Sequence, residues 1–131
     1  MLRSLAAVHL LTLVVGCGGS GSISGVVTYK GKPIITGRVT AVVGDEGPRV
    51  GLIQSDGRYR IENVPVGLVK LAVESPDPLT QPSGGDGDNG NKKPTRPPGW
   101  IALPAKYADA SKSGITMDVR SGNNSKDIPL D

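Results

Sequence analysis

The sequence predicts an all-β domain, a single antiparallel sandwich of about seven short strands, and three observations carry that prediction. Apolar and polar residues alternate with period two through Arg58–Glu62 and again through Leu68–Glu74, the pattern of half-buried antiparallel strands. Glycine and proline number 19 and 11 among 131 residues, a turn-rich composition that suits short strands and disfavours helical bundles. Nothing in the first half of the chain repeats with the 3.6-residue period of an amphipathic helix.

The N-terminal segment stands apart from this pattern. Arg3 precedes an 11-residue apolar run, Leu5–Val15, which is followed by Gly16 and the only cysteine, Cys17. The run is too short for a membrane-spanning helix, which needs about 20 residues, and matches the apolar core of a secretory signal. A small residue followed by cysteine at the end of that core is the arrangement of a bacterial lipoprotein signal, in which the thiol is alkylated with diacylglycerol and the chain is cut just before it. Residues 1–16 are therefore read as the signal, Cys17 as the lipidated N-terminus, and 17–22 as a Gly/Ser tether. The competing reading is an ordinary signal with an incidental cysteine.

Residues 23–131 are expected to form the domain. Ile23–Lys30 is rich in β-branched and aromatic residues and ends at the turn signal Gly31-Lys32-Pro33. Residues 35–43 and 50–54 read as the next strands, separated by Gly44-Asp45-Glu46-Gly47-Pro48. Asp56-Gly57 marks a hairpin leading into Arg58–Glu62, where Tyr59 and Ile61 share one face. Val64-Pro65-Val66-Gly67 reads as a second tight turn, after which Val69, Leu71 and Val73 point inward while Lys70 and Glu74 point outward. Residues 75–99 hold six prolines and a Gly/Asp/Asn patch, too polar to build a core, and are read as one long flexible loop. A short helical turn over 105–112 and two strands, with Ile115, Met117 and Val119 and then Ile128 and Leu130 inward, complete the domain.

Composition excludes most catalytic classes. The single histidine, His9, lies in the expected signal, so the exported chain would carry no imidazole and, once Cys17 is acylated, no free thiol. Ser-His-Asp and Cys-His arrangements and His/Cys zinc sites are then ruled out, and no disulfide is available. Loss of Arg3 leaves 14 basic against 12 acidic residues, interspersed rather than clustered, which does not point to nucleic acid.

The segments Gly25-Val26-Val27-Thr28-Tyr29-Lys30-Gly31-Lys32-Pro33-Ile34 and Ser55-Asp56-Gly57-Arg58-Tyr59-Arg60-Ile61, followed by Val64-Pro65-Val66-Gly67, resemble the carboxypeptidase regulatory-like domain. That resemblance implies a seven-stranded transthyretin-like (prealbumin-like) sandwich. Together with the cysteine signal and Pro104-Ala105-Lys106-Tyr107-Ala108-Asp109, the chain is similar to small planctomycete lipoproteins of this type. The resemblance carries a fold and no activity. Transthyretin-like hydrolases of hydroxyisourate use histidines and a C-terminal Tyr-Arg-Gly-Ser, and intradiol dioxygenases bind iron through tyrosines and histidines; this chain ends Ile128-Pro129-Leu130-Asp131 and lacks both sets.

Four weaker features complete the reading. Asp86–Asn91 looks like a calcium loop but departs from the EF-hand pattern at Gly90, Asn91 and Pro97, and a linker is the better account. Lys92, Lys93 and Arg96 form a small cationic group that salt would screen. Trp100 and Tyr107 flank the return from the loop and are candidates for ligand contact as a sugar-stacking pair, or for anchoring the loop to the sandwich. Asn123-Asn124-Ser125 fits the glycosylation acceptor pattern, which says nothing in a bacterial lipoprotein. The expectation is a non-catalytic, membrane-anchored protein of the bacterial envelope, facing the periplasm and preferring the outer membrane, with no cofactor and no metal site. Its partners are the membrane, through the N-terminal lipid, and an envelope protein or glycan. The alternative is a carbohydrate- or peptide-binding module using residues 75–104.

Overall fold

The computed structural model describes residues 19–80 and 95–131. The signal, Cys17, Asp86–Asn91, Lys92 and Lys93 lie outside the described residues. Nine strands form one connected sheet: β1 (Ser20–Tyr29), β2 (Lys32–Pro33), β3 (Gly37–Val42), β4 (Arg49–Ile53), β5 (Arg58–Pro65), β6 (Gly67–Glu74), β7 (Ile115–Val119), β8 (Gly122–Ser125) and β9 (Ile128–Leu130). A 3-10 turn at Ala105–Ala108 sits where a short helical turn was expected. The main path runs β2-β1-β5-β4-β3-β6-β7, antiparallel throughout, while β8 and β9 both pair with β1 in parallel. The parallel pairing follows from where β7 ends: Val119 lies opposite Gly67, and the next turn delivers the chain beside the start of β1, along which β8 then runs.

The sheet curls into a half-barrel around a core drawn from nearly every strand. Alternation sets which side chains enter it. Tyr59 and Ile61 on β5, and Val69, Leu71 and Val73 on β6, are all buried, while Arg58, Arg60 and Lys70 between them are exposed. Ile23 and Val27 on β1, Val39 and Ala41 on β3, Val119, Ile128 and Leu130 fill the rest. With no phenylalanine in the chain, Tyr59 supplies the bulk at the centre. Its hydroxyl donates to the Lys126 carbonyl at 2.5 Å, which satisfies the one polar atom it brings inside. Burial pushes the Tyr59 phenol well above its ordinary value, and the charge of Asp127 adds to the effect. Gly25 permits the same close approach, since a Cβ there would stand 2.0 Å from the Lys126 carbonyl oxygen.

Several boundaries differ from the sequence reading. Ser20, Gly21 and Ser22, expected as tether, belong to β1, where Ser22 is buried and donates to Asn123 Oδ1 at 2.9 Å. Backbone pairing with β5 and β8 on its two edges holds this segment, and composition does not register it. The Tyr29–Lys32 hairpin is a two-residue turn with Lys30 at φ 49° and Gly31 at φ 80°, the twist such hairpins favour. The segment Val64–Gly67 is not a hairpin: β5 and β6 are separated by Val66 alone but do not pair. The chain there steps directly from β5 to β6 across the curl of the sheet, with β4 and β3 between them in the strand order. Strand β8, Gly-Asn-Asn-Ser, carries no apolar side chain and was not expected. Asn124 holds it: Oδ1 accepts from Arg120 N at 3.0 Å, and Nδ2 donates to Arg120 O at 2.8 Å and Ser22 O at 3.1 Å.

The two ends of the barrel are chemically different. One gathers the start of β1 at Gly19–Ser20, the β5–β6 crossing and the β7–β8 turn; the other gathers the ends of β4 and β6 and the segments on either side of residues 81–94. The eight residues of β6, at about 3.3 Å each, place these ends about 23 Å apart. Among the described residues, no helix is long and apolar enough to cross a membrane.

Candidate functional site

The distal end, where the chain leaves β6, carries the only expected site residues within the described part of the chain. Beyond Glu74 the backbone makes a turn organised by Asp77, whose carboxylate accepts from Leu79 N at 3.0 Å while its carbonyl accepts from Thr80 N at 3.0 Å. Arg96, beyond residues 81–94, closes onto the same carboxylate with one edge of its guanidinium, Nε to Oδ1 at 3.0 Å and Nη2 to Oδ2 at 2.5 Å. This bidentate clasp brings the two ends of the loop together, the geometry that makes arginine–carboxylate pairs specific. The Arg96 guanidinium holds the Asp77 carboxyl below the usual carboxylate range, helped by the Leu79 amide, and Asp77 in turn raises Arg96.

Arg96 also lies over Trp100, its guanidinium carbon 5.0 Å from the ring centroid, within the range of a cation–π contact. Trp100 is half-buried, its backbone amide donating to Pro97 O at 3.0 Å. The indole Nε1 is buried and has no hydrogen-bond partner among the described residues, and the same is true of Ser75 Oγ nearby on the outgoing chain.

Ser75 lines a cleft of about 320 Å³ formed by Arg38, Val73 and Glu74 on the sheet and Leu103 and Pro104 on the returning chain. A second hollow of about 240 Å³ shares Arg38 and Pro76 with it and is bounded by Leu52 and Pro78. Arg38 and Glu74 form an ion pair between them, since β3 and β6 set these residues side by side in register. Leu52, the register partner of Arg38 across β4, is 73% exposed. The distal surface thus combines an apolar floor, prolines that fix backbone direction, and two Arg–carboxylate pairs at its margins. Among the described residues no group of three or more His, Cys, Asp or Glu side chains converges.

Trp100 and Tyr107, offered by the sequence either as a ligand-contact pair or as anchors of the returning chain, stand in different surroundings. Tyr107 is 7% exposed and belongs to the core cluster. Its hydroxyl donates to Asp131 O at 3.0 Å and accepts from Asp131 N at 3.2 Å, and Lys106 covers the ring with Nζ 4.8 Å from its centroid. Tyr107 therefore ties the returning chain to the C-terminus, and its ring offers no stacking surface. Trp100 remains at the distal surface, with Arg96 on it. The residues that sequence reasoning missed, Arg38, Glu74, Ser75, Asp77 and Leu103, come together through cross-strand register and loop closure. Of the clasp, the sequence singles out only Arg96, as part of a cationic group with Lys92 and Lys93; the opposite charge of Asp77 is the signal that could have found its partner.

No family model matches the sequence, and no curated protein matches it. Among solved structures, the chain is similar to a DUF3823 family protein from Bacteroides ovatus, with 20% identity and a TM-score of 0.47 over 85% of this chain and 44% of that one. It is also similar to a DUF3823 family protein from Parabacteroides merdae, with 10% identity and a TM-score of 0.48 over 86% of this chain and 46% of that one. The chain spans less than half the length of either structure.

Proposed function

We propose that this chain is an exported lipoprotein: a single carboxypeptidase regulatory-like domain of transthyretin-like type, fixed to the bacterial envelope through an acylated Cys17, with a non-catalytic structural or binding role. The observation that carries the reading is the polarity of the domain. The chain enters at Gly19, two residues after Cys17, while the loop-fed cleft opens at the other end of β6, about 23 Å away. A protein held by that N-terminus presents the cleft to the aqueous compartment. Labelled palmitate supplied to the producing cells is expected in the wild-type chain and not in Cys17→Ser; equal incorporation into both overturns the anchor.

A second reading, a carbohydrate- or peptide-binding module, is favoured by the cleft itself, with Val73, Leu103 and Pro104 in its lining, and by Trp100 on the returning chain at the same end of the domain. A glycan or peptidoglycan pull-down that is lost in Trp100→Ala, with thermal stability retained, supports the module. Capture that Trp100→Ala leaves unchanged removes Trp100 from the contact, and no capture by the wild type leaves the scaffold role.

A further inference from the structure

The proximal end of the barrel carries two large apolar side chains in a place where the core does not need them. Val66, the single residue between β5 and β6, is 45% exposed, and Leu68 on the outer face of β6 is 61% exposed. Monomeric proteins expose scattered apolar residues freely, but these two flank the entry of the N-terminus. Val66 N donates to Gly19 O at 3.2 Å, and a Cβ on Gly19 would meet Val66 Cγ2 at 3.7 Å. The start of the described chain is thus hydrogen-bonded to the crossing that bears the apolar pair.

Chain length then limits the distance to any membrane. Cys17 and Gly19 are two residues apart, and two fully extended residues reach about 7 Å. An acyl-bearing Cys17 sits at the headgroup boundary, and Val66 lies one hydrogen-bonded backbone spacing, about 5 Å, beyond Gly19, so it is held within roughly 12 Å of Cys17. From these observations we infer that the β5–β6 crossing is a lipid-seating surface: Val66 and Leu68 rest in the headgroup region of the bilayer and fix the orientation of the domain. The inference rests on the acylation of Cys17 proposed above.

The charges around the pair favour a shallow seat. Lys70 and Arg120 are exposed on neighbouring positions and suit an anionic headgroup layer, whereas Asp118, the register partner of Leu68, resists deep insertion. Arg49 is already engaged, donating to Gly47 O at 2.6 Å and Asn63 O at 3.0 Å. Two apolar side chains and a few cations cannot hold a protein to a membrane without the acyl chains, so the surface orients what the lipid has already attached.

The test uses full-length protein purified from membranes and placed in vesicles of phosphatidylethanolamine and phosphatidylglycerol. Acylation blocks Cys17, so an environment-sensitive fluorophore can be attached at Val66→Cys, Leu68→Cys or, as the distal control, Leu52→Cys. Intact mass first reports the diacylglycerol. Probes at 66 and 68 are expected to shift to the blue and to be quenched about twofold or more by lipids spin-labelled near the headgroup, as for groups about 5–10 Å into that boundary; the probe at 52 is expected to show neither. Acylated protein in which 66 and 68 behave like 52 overturns the seat and leaves the anchor. A blue shift without quenching by lipid marks contact with a second copy of the chain and overturns it as well. Absence of the acyl mass overturns anchor and seat together.

Discussion

Asn124 offers the sharpest energetic prediction. Its side chain closes the β7–β8 turn and holds an otherwise featureless strand against β1 through three good hydrogen bonds: from Arg120 N at 3.0 Å, to Arg120 O at 2.8 Å and to Ser22 O at 3.1 Å. A typical bond of this kind contributes about 0.5–1.5 kcal/mol net. Water can reach the Arg120 groups after truncation and recover part of their share, whereas the Ser22 carbonyl is partly buried. Asn124→Ala should therefore cost about 2 kcal/mol, which lowers the melting temperature of a domain this size by roughly 8–12 °C. Thermal unfolding followed by far-ultraviolet circular dichroism reads it directly. The neighbouring Asn123 is the internal control: its Oδ1 accepts from Ser22 Oγ at 2.9 Å and makes a long 3.5 Å contact with Arg60, so Asn123→Ala should cost less than half as much. Asn124→Asp should be worse than alanine at neutral pH, because it turns an oxygen toward carbonyls that now receive a donor. Near-wild-type melting of Asn124→Ala, or an equal loss for the two asparagines, would refute the reasoning.

Further outcomes follow from the core and the distal site. Tyr59→Phe leaves the Lys126 carbonyl without its donor and should cost about 1–2 kcal/mol in urea unfolding, with the ring packing kept. The folded phenol titrates above its unfolded value of about 10, so the stability it contributes is present below pH 10 and lost as pH rises beyond it; the wild type should fall off more steeply than Tyr59→Phe from about pH 10 upward. Gly25→Ala places a Cβ on the Lys126 carbonyl and should cost about 3 kcal/mol, the upper end of overpacking, which denaturant unfolding will show. The folded Asp77 carboxyl lies below its ordinary range because of Arg96, so the clasp persists above the ordinary value and opens only as pH falls through the depressed one. Trp100, the sole tryptophan, should report that opening as an acid fluorescence transition that disappears in Arg96→Ala; an unaltered transition would mean that another group drives it.

Much of the sheet was legible because a single physical signal decides it. Period-two alternation on β5 and β6 chose Tyr59, Ile61, Val69, Leu71 and Val73 for the core, and all five are buried. What escaped was structure held by backbone and polar side chains. Gly122–Ser125 is a strand because β1 presents a free edge and Asn124 ties the turn, neither of which hydrophobicity records. Ser20–Ser22 is a strand for the same reason, although glycine and serine are also what a tether contains. Val64–Gly67 carries the composition of a hairpin turn, yet its strands are not neighbours, since pairing partners depend on the whole topology. The distal site was legible only as a place. Trp100 was found by its position after the loop, whereas Tyr107, chosen on the same grounds, is drawn into the core by Asp131. Arg38 and Glu74 meet only once β3 and β6 are in register.

Attachment through Cys17 is the claim on which the orientation of the domain and the role of its two ends depend. Mass spectrometry of the N-terminal peptide from envelope-purified protein tests it most directly. The account predicts a peptide that begins at Cys17 and carries the added mass of diacylglycerol on the thiol. A peptide that begins upstream of Cys17, or one in which the thiol is unmodified, would contradict it.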